Sequence, residues 1–495
     1  MTEPTVLTAV QDQARRRPSA PALVDGDRRL SYRGLLTEAR TRAGALAAAG
    51  VGAGDRVAVE TGYGAGHVLG LFACWLLDAV PVPVDPAAPA VRRGFQVRHA
   101  GCVGSLVRDG ADGAVAEAVA EVIRDRPAPS SPGLAYIVFT SGSTGRAKGV
   151  EAGHPGLLNF CTQLAAELGL GPRRRMVAHL NPAFDMALAE TMAPLVGGGT
   201  VVVAPARAPH NPELFGRWLR EARVQAFAAT PTMFRMLLPY LGGGLPGCML
   251  GSGGEVLPAA LAAELLTVGA ELWNGYGPTE ATVAPLLGRV LPDPADPVPI
   301  GRPIAGMTAE ILDGQLRRVP PGEPGELHLS GIGLARGYVN DPELTRQAFV
   351  AGPDGVRRYR TGDICRVRPD GRYEFRGRAD DQVKIRGHRV ELGEIEAVAA
   401  RLAGMAGATA VMCASDGGRE ELYLVVPAAP GTRPDPAGWA AYLRRHLPGH
   451  MLPLRIIPVA ELPQNASGKV DRAAVRQCVQ ETLRERTGHV APARY

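Results

Sequence analysis

The chain has 495 residues, 46% hydrophobic and 21% charged, with a net charge of +5. This balance argues against disorder, and the basic triplets Arg15–Arg17 and Arg173–Arg175 lack interleaved aromatics, so they read as solvated faces rather than a nucleic-acid surface. The seven cysteines stand singly, without metal-ligand spacing, Met1–Thr5 does not begin a secretory leader, and the longest apolar run, near Val68 to Leu77, is too short to span a membrane; reduced thiols and a cytoplasmic location are expected, with neither membrane nor nucleic acid as partner.

In chain order, the pattern predicts a helix over Val6 to Arg17, a strand at Ala22–Val24 and a turn at Asp25–Asp27. Ser31 is a candidate N-cap for an alanine-rich helix that runs to Ala49 and stops at Gly50. Val57–Val59 is strand-like, His67 to Leu77 has helical spacing, and Pro81–Pro86 reads as an extended turn. Strands at Val177–Leu180, Thr200–Ala204 and Ala226–Ala229 alternate with helices over Pro212–Val224 and Thr232–Leu241. That alternation predicts an α/β fold of layered parallel or mixed sheets. Residues 308–375 change to shorter strands and glycine turns, which predicts an antiparallel, barrel-like portion. Near residues 377–387 the character shifts again, to a small α+β unit with a helix over Glu391–Leu402, a strand at Leu422–Val426 and a helix over Trp439–Leu447. Asp471 to Tyr495 reads as a short helix and a loose end.

The apolar run Leu134–Phe139 reads as a buried strand that empties into Thr140-Ser141-Gly142-Ser143-Thr144-Gly145-Arg146-Ala147-Lys148-Gly149. Glycines let backbone N–H groups approach an anion, hydroxyls donate to phosphate oxygens, and a lysine adds a point charge. The spacing is not that of a nucleotide-kinase loop, because only two residues separate Gly145 from Lys148. It resembles, without a gap, the phosphate loop of the adenylate-forming superfamily: acyl-CoA synthetases, luciferases and the adenylation domains of nonribosomal peptide synthetases. The resemblance extends from about residue 20 to residue 472 and implies a large N-terminal domain, residues 1–379, and a small mobile C-terminal domain, residues 380–495.

Asn274-Gly275-Tyr276-Gly277-Pro278-Thr279-Glu280 is a second signal. Beside a phosphate loop, Tyr276 offers a face for adenine and Asn274 an amide for a base edge. Thr279 can donate to an α-phosphate, and Glu280 is a hard oxygen ligand for Mg²⁺. The superfamily assigns these roles to the same motif. In Tyr359–Asp363, Asp363 resembles the superfamily's ribose ligand, and Arg378 its arginine at the ribose and phosphate. ATP and Mg²⁺ are the implied cofactors.

An attacking carboxylate and an α-phosphate are both anions, and joining them needs a positive charge near the transition state. Lys469, in Leu462–Arg472, resembles the superfamily's last motif, which carries that lysine; Ala466-Ser467 departs slightly from the usual spacing. Asp380 falls where the family places its hinge, with Asp381 beside it as the alternative. A swing there would exchange Lys469 for Val383–Gly387 at the site.

Asp185, in Ala183–Ala187, decides between amino acids and plain acids. A buried carboxylate is the natural partner of a substrate ammonium, and Asp185 follows Phe184 as in peptide-synthetase adenylation domains; the competing reading is a helix N-cap. The same resemblance implies a side-chain pocket lined by Met186, Ala189, Ala228, Gly251, Gly253, Gly275, Val283 and Ala284. This uncharged, small lining points to a bulky neutral or aromatic amino acid, with a small residue or a β-amino acid as the alternative. No carrier-protein or condensation motif follows Lys469. The expectation is therefore a free-standing enzyme of natural-product biosynthesis that activates an amino acid and loads the phosphopantetheine thiol of a separate carrier protein, with the need for a small accessory activator protein left open. The rival is an acyl-CoA synthetase using free CoA.

Overall fold

The computed structural model describes residues 3–62, 64–107, 119–120, 132–142, 145–414, 420–427, 434–464 and 470–487. The chain forms two compact units, one of residues 1–87, 96–140 and 149–380, the other of residues 88–95, 141–148 and 381–495.

The first unit contains a nine-stranded sheet. Six strands run parallel in the spatial order Glu271–Tyr276, Met249–Gly253, Ala226–Ala229, Arg175–Ala178, Thr200–Val203, Pro21–Asp25. Antiparallel strands close both edges, Leu286–Arg289 and Arg302–Pro303 on one side and Arg28–Ser31 on the other. The two-residue period of the strands divides their side chains between two cores. Met176, Ala178, Ala226 and Ala228 join one core with the helices His154–Glu167 and Met186–Gly197. Val177, Phe227, Leu250 and Leu272 join the other with the helices Pro212–Glu221, Pro231–Leu237 and Ala259–Val268.

A second sheet orders Val80–Pro83, Arg56–Glu60, Cys102–Val107 and Val119–Ala120. Here the structure corrects the sequence reading: Val80–Pro83 is a strand parallel to Arg56–Glu60, not a turn. It lies at the sheet's edge, where proline is tolerated. The Val80 and Val84 amides donate inward, to Asp55 and Val59 carbonyls at 2.8 and 3.1 Å, so Pro81 and Pro83 fall at the positions whose missing N–H would point away from Arg56–Glu60. The barrel-like portion is a five-stranded antiparallel sheet of Met307–Leu312, Gly325–Gly331, Phe349–Ala351, Arg357–Val367 and Tyr373–Arg378.

The second unit contains the hairpin Gln382–Ile385 and His388–Glu391, and a three-stranded sheet of Thr409–Ala414, Glu420–Pro427 and Arg455–Val459. Its helices Leu392–Ala399 and Pro436–His446 pack on one face of that sheet, through Ile395, Val398 and Leu443. The helix Arg472–Thr487 packs on the other face through Val475, Val479 and Leu483, and at 16 residues it is longer than the short tail helix expected from sequence. Among the described residues no helix is long and apolar enough to cross a membrane, and all seven cysteines are free thiols, with only Cys478 exposed.

Candidate active site

Thr140 ends the strand Leu134–Thr140, and its hydroxyl is buried without a hydrogen-bond partner. An orphaned buried hydroxyl at the mouth of a glycine-rich loop is what an absent anion would satisfy. Beyond it, Gly145 donates its N–H to the Gly142 carbonyl at 3.1 Å and closes the loop as a tight turn. Gly145 has a φ of +79°, and a Cβ there would lie 2.3 Å from the Cβ of Ala397, so the position requires glycine. Lys148 begins the strand Lys148–Gly153. Ser143, Thr144 and Lys469 lie outside the described residues.

In the first unit the structure brings the second and third motifs together. The Tyr276 hydroxyl donates to Asp363 Oδ2, and Arg378 Nη1 donates to Asp363 Oδ1 at 2.5 Å. The ladder between Arg357–Val367 and Tyr373–Arg378 sets this contact by pairing Asp363 directly with Arg378. Burial, followed by the Asp363 charge, holds the Tyr276 phenol well above its ordinary value. Arg378 also grips Asp380 through two bonds, Nε to Oδ1 at 2.6 Å and Nη2 to Oδ2 at 2.8 Å. In the second unit the neighbouring Asp381 accepts instead from Arg472 Nε at 3.0 Å. The chain thus leaves the first unit between two adjacent aspartates that are anchored to arginines of different units.

Gly277 turns the chain sharply after Tyr276: a Cβ there would meet Pro285 Cδ at 2.3 Å and the Val283 carbonyl oxygen at 2.4 Å. The following short 3-10 turn, Thr279–Ala281, buries Glu280 completely, where its Oε1 accepts from the Tyr338 hydroxyl at 2.7 Å. Asn274 is buried as well, and its Nδ2 donates to the Pro299 carbonyl at 3.0 Å. One of the two amide hydrogens of Asn274 is therefore engaged within the protein.

Asp185 sits at the N-cap position of the helix Met186–Gly197, yet its side chain makes no capping bond. It is 8% exposed and its Oδ2 has no hydrogen-bond partner. Burial, opposed by hydrogen bonding from Thr279 and reinforced by the Glu280 charge, pushes its carboxyl up to about 6. A buried carboxylate with an unsatisfied oxygen is costly alone and becomes favourable with a cation beside it.

The eight predicted lining residues cluster next to it. Ala228 pairs with Gly251, and Gly253 with Gly275, across adjacent strands, so all four share one face. Ala189, Val283 and Ala284 belong to the core on that face, with Met186 packed against it. A Cβ on Gly251 would meet the Ala228 Cβ at 3.2 Å, whereas one on Gly275 would meet nothing closer than Leu287 at 3.5 Å.

Four residues were missed in the sequence. Trp273 is the register partner of Gly251 on the same sheet face, and counting back two from Gly275 would have found it. Tyr136 is fully buried near Asp185, whose charge adds to the burial that raises its phenol. Glu190 Oε2 accepts from the His179 and Leu180 amides at 2.9 and 3.0 Å and so fixes the turn that carries Asp185; a lone acid in an apolar helix was its signal. Asp85 accepts from Asn181 Nδ2 at 2.6 Å in the same turn, and no sequence pattern marks it.

Residues 10–339 match the family described as AMP-binding enzyme. The chain belongs to the AMP-binding enzyme family. It is an AMP-binding domain of the adenylate-forming superfamily, and its relatives are of the adenylation-domain type. The chain is similar to novobiocin biosynthesis protein H of Streptomyces niveus, 35% identical, with 99% of this chain and 86% of that protein covered. It is also similar to phosphinothricin tripeptide synthetase PhsC of Streptomyces viridochromogenes, 37% identical over 95% of this chain but only 45% of the relative. Against a dimodular nonribosomal peptide synthase of Bacillus subtilis it spans 21% of the length, so this AMP-binding enzyme corresponds to a fraction of such synthetases. Among solved structures, IdnL1 matches with a TM-score of 0.80 and 30% identity, over 93% of this chain and all of that one. The structure of PA1221, a nonribosomal peptide synthetase protein containing adenylation and carrier (PCP) domains, matches with a TM-score of 0.81 and 28% identity, over 95% and 84%.

Proposed function

We propose that this AMP-binding enzyme activates an amino acid with a neutral, bulky or aromatic side chain and passes it to the phosphopantetheine thiol of a separate carrier protein in natural-product biosynthesis. In the first step a carboxylate oxygen of the amino acid attacks the α-phosphorus of Mg·ATP and pyrophosphate leaves. In the second, the carrier thiol, having lost its proton, attacks the acyl carbon and AMP leaves.

The observation that carries the amino-acid reading is the unpartnered oxygen of buried Asp185. An ammonium seated against Oδ2 would satisfy that oxygen and pull the carboxyl back from about 6. The uncharged pocket face, with glycine at three of its eight positions, supports a neutral side chain of appreciable size. In this reading Tyr276 stacks on adenine, Asp363 and Arg378 hold the ribose side of the nucleotide, and Thr279 donates to the α-phosphate. Thr140 to Gly145 and Lys148 cradle the phosphates. Glu280 would hold Mg²⁺ through its carboxylate, and the ion would supply positive charge beside the phosphates. Lys469, on the C-terminal domain of residues 380–495, neutralises the two approaching anions, and Asp380 is the hinge about which that domain turns away for the second step. A small accessory activator protein is a further candidate partner.

ATP–pyrophosphate exchange across the amino acids, including aromatic and β-amino acids, and their deaminated counterparts tests the proposal. Exchange with one or a few neutral amino acids is expected. Exchange only with deaminated acids would refute it and favour a ligase that uses free CoA.

A further inference from the structure

Within the second unit, the described residues of the phosphate loop, 141–142 and 145–148, are grouped with residues 88–95 and with the helix Leu392–Ala399. The carboxylate of Glu394, in the first turn of the helix Leu392–Ala399, is 2% exposed. Arg92 Nη1 lies 2.5 Å from its Oε1, and the Gly142 amide donates to its Oε2 at 3.3 Å. Ala397, one turn further along the same helix face, fills the space that the missing Cβ of Gly145 leaves open. The Ser141 hydroxyl donates to the Arg389 carbonyl at 2.8 Å. The helix is thus fitted to the loop at three consecutive places, and at the middle one an anion sits on a loop amide.

We propose that Glu394 is a positioning residue that stands in for a phosphate: it occupies the Gly142 amide when the loop holds no nucleotide tail, and it competes with the terminal phosphates of ATP for that amide. A backbone N–H has a single hydrogen, so a carboxylate and a phosphate oxygen cannot both accept it with good geometry. A buried carboxylate needs charged or polar partners throughout, and among the described residues Arg92 and Gly142 supply them. Phosphates arriving at the loop therefore expel Glu394, and pyrophosphate leaving the loop lets it return. Emptying of the phosphate loop is in this way coupled to docking of the helix that carries Glu394. The inference rests on the reading of the loop as the seat of the nucleotide's terminal phosphates.

Calorimetric titration of the full chain with the magnesium complex of α,β-methylene-ATP, and separately with AMP, tests it in wild type and Glu394→Gln. The apparent dissociation constant of a ligand rises in inverse proportion to the fraction of molecules competent to bind it. For a Gly142 amide free of Glu394 in about one wild-type molecule in ten, the ATP analogue would bind Glu394→Gln roughly tenfold more tightly than wild type, while AMP, which lacks the terminal phosphates, binds both alike. Should Glu394→Gln lose cooperative unfolding, Glu394→Asp serves: it keeps a charge for Arg92 but ends one methylene short of Gly142, and it too should gain affinity for the analogue alone. An unchanged affinity for the analogue, or equal changes for analogue and AMP, would overturn the proposal. These titrations contain no amino acid, so an exchange panel that failed with every amino acid would sink the substrate reading and leave this comparison standing.

Discussion

Asp185→Asn separates the ammonium role of this residue from any structural one, because the two leave opposite marks on stability. Burial raises the Asp185 carboxyl from 3.8 to about 6. The folded state therefore disfavours the charged form. The penalty is absent below about pH 4, grows as pH rises between about 4 and 6, and is complete above that window. A shift of roughly two units corresponds to about 3 kcal/mol. Asn cannot ionise and has no such term. Relative to wild type, Asp185→Asn should thus be stabilised by about 2–3 kcal/mol more at pH 8 than at pH 4, read as a melting temperature that rises by several degrees at the higher pH only. A capping aspartate would behave in the reverse way, since replacing it costs about 0.5–2 kcal/mol. Thermal unfolding followed by circular dichroism at the two pH values, with and without the cognate amino acid, is the assay. The amino acid should protect wild type and not the variant, and the deaminated acid should affect both equally. An identical pH dependence in variant and wild type would refute the buried-charge argument.

Lys469→Ala should lower adenylate formation by about 10²–10³-fold, measured by pyrophosphate exchange, while transfer from a supplied aminoacyl-adenylate to a carrier thiol is far less affected; equal losses would contradict the two-conformation reading. Glu280→Gln should raise the Mg²⁺ concentration needed for half-maximal exchange and leave AMP binding within about twofold, since AMP binding needs no metal bridge between phosphates. Gly275→Ala meets no atom closer than 3.5 Å, so the enzyme should keep its fold and lose exchange selectively with the largest side chains. In Gly253→Ala the new Cβ would lie 3.1 Å from the Gly275 carbonyl oxygen, which should lower the melting temperature as well.

The parallel sheet was legible because its strands are short apolar runs bounded by turn residues: Ala226–Ala229 appears where the sequence puts it. The motifs stand out in the sequence because hydroxyls, glycines and carboxylates interrupt apolar runs there. Asp363 and Arg378 are 15 positions apart, and only a strand register joins them. Burial and unsatisfied valence were not legible. Nothing in Phe184-Asp185-Met186 says that Asp185 starts a helix without capping it, and nothing near Glu394 says that its carboxylate reaches Gly142. Such facts depend on long-range packing that a local pattern does not encode. The same limit explains Val80–Pro83, where local propensity scored two prolines as a turn and the edge of the sheet admitted them as a strand.

Pro81 and Pro83 have a further effect. The strand that carries them is buried throughout. Another residue at these positions would bring in an N–H that points away from Arg56–Glu60 within a buried strand, and leaving that N–H unpaired costs about 1–3 kcal/mol each. Pro81→Ala should therefore destabilise the protein, against the rule that prolines weaken strands. In this edge the two imino acids act as insulation, keeping one sheet from zipping onto whatever lies beside it.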